Sequence, residues 1–154
     1  MKNNLDSLLG SFRFAFTGLM HTIAHERNMR VHIVAMIYVL LFSVFYNLST
    51  AEHGMLYIVI AMVLITELFN TSIEAIVNLL SPKYSQFAKI AKDTAAASVL
   101  IAAIASVAVG ICLFADVKVL HEIWLYFTQS IIRIVLLGLS VIIAVFFILS
   151  DIKK

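Results

Sequence analysis

Four polar side chains interrupt an otherwise apolar stretch, at Glu67, Asn70, Glu74 and Asn78. On an α-helix advancing about 100° per residue they stand at roughly 0°, 300°, 340° and 20°, in one stripe about 80° wide. Taking carboxylates out of water is costly, so the stripe must face a protein interior, a cavity or a bound cation, and not lipid tails. Hydrogen bonding between helices is the simplest use of such groups, but two Asn could do that without charge. Counted from Met55, Glu67 lies about 18 Å and Glu74 about 28 Å along a helix that meets a hydrocarbon core about 30 Å thick. The carboxylates therefore sit close to one membrane face, where a lipid headgroup can meet a water-soluble partner.

Other charged residues could join them. In the run Lys89-Ile90-Ala91-Lys92-Asp93, Lys92 can complement phosphate charge, while Asp93 can orient it or accept hydrogen bonds from a ligand. Glu26, between His25 and Arg27, sits where an amphipathic arm meets the first apolar stretch. Taken alone, each reads first as an ordinary solvated charge. No Walker A or GxGxxG sequence occurs, so a nucleotide would be held by carboxylate-bound magnesium, lysine and polar side chains. His21 and His25 are spaced i, i+4 beside Glu26, but no further His or Cys completes a zinc set, and HExxH is absent.

The elements that must position these groups follow from hydropathy. The 154 residues are 62% hydrophobic and 13% charged, with one Pro, one Cys and a mean hydropathy of +1.03, which is a membrane composition. It excludes disordered and disulfide-scaffold classes. The net charge of +2 comes with no basic stripe, which argues against nucleic acid as a partner. Cys112, in an apolar stretch, reads as a small buried thiol. Spans are predicted at residues 31–48, 55–80, 94–115 and 131–149, with Trp124, Tyr126 and Phe127 as interfacial anchors before the last. Ser98, Ala102, Ser106 and Gly110 recur every four residues as a seam for close helix packing.

Ahead of the first span, Leu5, Leu8, Leu9, Phe12, Phe16, Leu19 and Ile23 recur at helical spacing among Asp6, Arg13 and His21, which predicts a helix lying on the membrane surface. No small-residue cleavage pattern follows a compact apolar region, so no cleavable signal peptide is expected. Lys2, Arg13, Arg27, Arg30, Lys83, Lys89, Lys92, Lys153 and Lys154 fall on one side of this topology, and Lys118 and Arg133 on the other. The positive-inside rule then predicts a multi-pass protein of the cell (inner) membrane with both termini and the 81–93 loop cytoplasmic. The expected organisation is all-α: an interfacial helix over 1–30, a three-span core over 31–115, and an extension over 116–154 with a fourth span.

The order Glu67-x-x-Asn70-Thr71-x-Ile73-Glu74-x-x-Val77, a short loop, then Ala91-Lys92-Asp93-x-Ala95-Ala96, resembles the prokaryotic diacylglycerol kinase family, which includes undecaprenol kinases. Ser11-Phe12-Arg13-Phe14-Ala15-Phe16-Thr17-Gly18 and His25-Glu26-Arg27-Asn28-Met29-Arg30-Val31-His32 extend the similarity to roughly residues 11–115. The resemblance implies a small membrane kinase that moves the ATP γ-phosphate to a lipid hydroxyl, as a homotrimer with active sites shared between subunits. It implies Glu67 as the general base, Glu26 and Glu74 as carboxylates holding Mg2+ on the nucleotide phosphates, and Asn70, Lys92 and Asp93 as nucleotide-binding residues. Asn78 stands where family members usually carry Asp, and the fourth span exceeds the usual three. The wording around Glu26 leans toward undecaprenol over diacylglycerol as acceptor. A small proton-coupled transporter and a non-catalytic membrane assembly protein are the alternative classes. The former lacks an inverted repeat or a broken-helix pair, and the latter would have Asn78 as its first sign.

Overall fold

A computed structural model describes residues 4–81 and 83–150 of the chain, so Lys2, Lys153 and Lys154 of the basic residues above lie outside the described residues. Every regular element among the described residues is helical: α1 Asn4–His25, α2 Arg27–Ser43, α3 Thr50–Leu80, α4 Gln86–Phe114, α5 Val117–Thr128 and α6 Ile131–Leu149.

Among the described residues three helices, α3, α4 and α6, are long and apolar enough to cross a membrane. The predicted span over 31–48 is corrected: α2 starts at Arg27, ends at Ser43 and has only 17 residues. Its end tightens into a turn in which Phe45 N donates to Phe42 O and Tyr46 N to Ser43 O, at 3.1 and 3.0 Å. The Tyr46 hydroxyl then donates to Phe114 O at 3.0 Å, tying this turn to the end of α4. Helix α3 begins at Thr50, ahead of the expected Met55, because Ser49 and Glu52 form a capping box. Glu52 N donates to Ser49 Oγ at 3.3 Å and Ser49 N to the Glu52 carboxylate at 2.7 Å.

The 31 residues of α3 reach about 46 Å, beyond a hydrocarbon core of about 30 Å, so at least one end stands clear of it. Helices α3 and α4 form the most extensively packed pair, joined by a short connection. Leu56, Val59, Val63, Glu67 and Asn70 are the buried residues of α3, and Ala95, Val99 and Ala102 those of α4. Of the small-residue seam only Ala102 is buried, because a strict i+4 row drifts about 40° per step and rotates its ends off the contact. Cys112 is exposed, a second correction: it lies on the part of α4 turned away from neighbouring helices.

The part of the C-terminal extension before α6 forms a helix of its own, α5, started by Asp116, whose carboxylate accepts from Lys118 N at 2.8 Å. Tyr126 and Phe127, expected as interfacial anchors, meet Phe45 and Phe42 at ring separations of 5.2 and 6.0 Å. Arg133 folds back over the Tyr126 ring at 3.9 Å and donates to Tyr126 O at 2.8 Å. From there α6 runs antiparallel to α2, bonded through Tyr38 and Ser140 at 2.9 Å. No residue of α6 is buried, and apolar side chains are exposed along α1, α3, α4 and α6, as expected where lipid supplies the surroundings.

Candidate functional site

The polar stripe of α3 is graded from dry to wet. Glu67 is 1% exposed and Asn70 7%, Glu74 is half-buried, and Asn78 is exposed. Among the described residues, Glu67 Oε1 and Oε2 and Asn70 Oδ1 are buried without a hydrogen-bond partner. A native structure leaves few such groups orphaned, and they mark places built for something other than packing. Asn70 Nδ2 donates to Glu74 Oε1 at 3.1 Å, one helical turn further on. Stripe and packing face coincide on α3, which is why Glu67 is driven into the interior despite its charge.

Glu26 joins this group from a different element. It is the single non-helical residue between α1 and α2, with φ −101° and ψ 115°, and its side chain makes no cap to the helix that follows. Its half-buried carboxylate lies close enough for the charges of Glu26 and Glu74 both to act on Glu67. Lys92, near the start of α4, reaches back across the hairpin and donates from Nζ to Asn78 Oδ1 at 2.7 Å. The residue that departs from the family pattern is therefore the one that holds Lys92. Asp93 is exposed, about 100° further round α4, and is not drawn into the cluster.

A cavity of about 270 Å³ opens beside the stripe, lined by Asn28, His32, Glu67, Asn70, Ala96 and Leu100 among others. Through His32 and Ala103 it shares walls with a second cavity of about 240 Å³, lined by apolar residues such as Met36, Leu56 and Val63. The unpartnered carboxylate thus stands at the polar end of an apolar crevice between α2, α3 and α4. That arrangement suits an amphiphile whose hydroxyl meets Glu67.

Among the described residues no three His, Cys, Asp or Glu converge into a preformed metal cluster. The His21 and His25 rings stack at 4.1 Å, and His25 Nδ1 lies 2.8 Å from His21 O. Glu26 and Glu74 provide hard oxygen donors, which fit an ion that takes one or two carboxylates and fills its shell with water and phosphate oxygens. That is the ligand habit of Mg2+, and the orphaned oxygens beside it fit the same polar chemistry.

In the sequence Arg30 figures as one positive charge and as part of the motif around Glu26, with no role of its own. It is 5% exposed and donates to Ile23 O, Ala24 O and Ile148 O. The available signal was an arginine in the first turn of an apolar helix, four residues after Glu26.

Comparison with known proteins agrees with the motif order. The family profile described as prokaryotic diacylglycerol kinase matches residues 13–114. A diacylglycerol kinase of Synechocystis sp. is 41% identical over 108 residues, covering 70% of this chain and 62% of that relative's length. An undecaprenol kinase of Bacillus subtilis is 34% identical over 113 residues, covering 73% of this chain and 92% of that relative. Both α5 and α6 lie beyond the profile match.

Proposed function

The chain belongs to the prokaryotic diacylglycerol kinase family, and on that premise we propose that it transfers the γ-phosphoryl group of ATP to the hydroxyl of a membrane lipid alcohol, diacylglycerol or undecaprenol. The observation that carries this reading is Glu67, buried with both carboxylate oxygens unpartnered at the polar end of an apolar crevice.

In this reading Glu67 takes the proton of the lipid hydroxyl as its oxygen bonds to the γ-phosphorus and the bond to the ADP oxygen breaks. The products are the lipid phosphate and ADP, and the proton then passes from Glu67 to water. Glu26 and Glu74 would hold Mg2+, which would offset charge on the nucleotide phosphates. Asn70 orients the transferring group, with its amide nitrogen already engaged by Glu74 and its carbonyl oxygen unpaired. Lys92 neutralises phosphate charge, and Asp93 contacts the nucleotide from the wet side. Positioning and charge neutralisation account for most of the catalysis in phosphoryl transfer, and these groups supply both.

The setting follows the same reading. Read with the 17-residue α2 as a short fourth passage beside the three long apolar helices, the chain has both termini on the face rich in Lys and Arg, the cytoplasmic face of the cell membrane. Helix α1 lies along that face, and the homotrimer expected of the family shares its sites between neighbours. The test is transfer of labelled γ-phosphate from Mg-ATP in mixed micelles, with undecaprenol and diacylglycerol offered in parallel. Labelled lipid from either acceptor is the expected result and names the substrate. No product from either in well-folded protein would remove the kinase assignment in favour of a non-catalytic membrane role.

Asn78 gives a smaller prediction. Asn78→Asp keeps an oxygen acceptor for Lys92 and adds an exposed ion pair, an interaction worth about 0–1 kcal/mol. Turnover is expected to stay within about threefold of the parent, since such a coupling shifts an equilibrium by no more than a few-fold. A tenfold or larger rise would mean that a carboxylate is needed at this position.

A further inference from the structure

Arg30 is a buried cation whose hydrogen bonds all join helix ends. Its Nη1 donates to Ile23 O and Ala24 O at 3.0 Å each, and its Nε to Ile148 O at 3.3 Å. Ile23 and Ala24 belong to the last turn of α1, and Ile148 is next to last in α6. Carbonyls in a last turn have no amide partner in their own helix, and the partial negative charge gathered there favours a cation. One guanidinium, a rigid fork of donors, thus serves the C-termini of two helices at once.

Glu26 lies inside this arrangement. Its amide donates to Thr22 O at 2.8 Å, and its carbonyl accepts from the Arg30 amide at 3.4 Å. The side chain of Arg30 therefore holds the turn just before Glu26, while its main-chain amide holds the carbonyl of Glu26 itself. These bonds fix the backbone of the one extended residue between the two helices, and with it the place from which its carboxylate projects.

The contact with α6 is in register along that helix. Tyr38 follows Arg30 by eight residues and Ser140 precedes Ile148 by eight, so the pairs Arg30–Ile148 and Tyr38–Ser140 are matched steps of one antiparallel packing. Helix α6 lies outside the family match, yet it reaches the junction that carries Glu26. We propose that Arg30 is a positioning residue for the Glu26 carboxylate, and that the C-terminal helix α6 is the third point to which it is fastened. The inference rests on the reading that Glu26 serves the magnesium-bound nucleotide.

The test uses the full chain in mixed micelles, with Arg30→Gln, Arg30→Lys and Tyr38→Phe made singly and in combination with Glu26→Gln. Arg30→Gln is expected to raise the KM for Mg-ATP and the Mg2+ concentration at half-maximal rate about tenfold, as for outer partners of metal ligands, with the lipid KM unchanged. Arg30→Lys keeps the charge but not the fork and is expected to recover part of that loss, while Tyr38→Phe gives a rise of about twofold. In the Glu26→Gln background all three effects should fall away, since groups acting through one another are not additive. Independent, multiplying effects in the double variants would overturn the proposal, as would unchanged Mg-ATP kinetics in folded Arg30→Lys. If the Arg30 variants do not fold, the Tyr38→Phe and Glu26→Gln pair decides by the same criterion. An unchanged KM for Mg-ATP in Glu26→Gln alone would remove the premise and the inference together, a result distinct from failure of the Arg30 link by itself.

Discussion

Glu67→Gln is expected to lower lipid phosphorylation about a thousandfold, within the range by which a positioned general base contributes to rate. The substitution keeps the volume of the side chain and removes only its ability to take up a proton. Because Glu67 is 1% exposed with neither carboxylate oxygen paired, the native protein carries the desolvation cost of a charge there. An amide in its place is cheaper to bury, so thermal stability in detergent should hold or rise while activity disappears. That opposite movement separates loss of a base from loss of fold, and it follows the usual conflict between a strained site and stability. Turnover near that of the parent would sink the assignment of Glu67. A parallel fall in melting temperature would mean that the side chain serves packing instead.

Glu74→Gln is expected to act on the nucleotide. Gln at this position can still accept the hydrogen bond that Asn70 Nδ2 now makes to Glu74 Oε1 at 3.1 Å, so the local geometry of α3 has reason to persist. What is lost is a negative charge with hard oxygen donors. The KM for Mg-ATP and the Mg2+ concentration needed for half-maximal rate should both rise by at least about tenfold, since even outer-shell partners of metal ligands cost 10–100-fold. The lipid KM should stay near its parent value, because Glu74 is half-buried toward the wet end of the stripe and is not among the residues lining the crevice. An unchanged magnesium requirement would count against Glu74 as a ligand.

Features confined to one helix were legible in the sequence. The bounds of α6, residues 131–149, were readable because a run apolar but for Arg133 and Ser140 ends at Ser130 and Ser150. The stripe of Glu67, Asn70 and Glu74 was readable because spacing along one helix sets angle, and the structure places Glu67 and Asn70 on the buried face as that angle requires. Boundaries set by local hydrogen bonds were less legible. The early start of α3 depends on Ser49 and Glu52 closing a box, a signal present in the sequence but outweighed by hydropathy. The early end of α2 depends on the turn at Phe45 and Tyr46 and on the bond from Tyr46 to Phe114, across 68 residues of chain.

The partners of the charged groups belong to tertiary structure alone. That Lys92 meets Asn78, that Glu26 comes within electrostatic reach of Glu67, and that Arg30 gathers the ends of α1 and α6 depend on which helix ends converge. Convergence is decided by contacts among apolar side chains such as Leu, Ile, Val and Phe, and swaps of similar volume among them are tolerated, so they leave little trace of partner identity in a sequence. By itself the sequence determined which residues share a face, how far apart they lie along it and what chemistry they could support, because 100° and about 1.5 Å per residue are properties of one helix. Only the packing of α2 against α6, and of α3 against α4, decided which faces meet, since that depends on the shapes of two surfaces together.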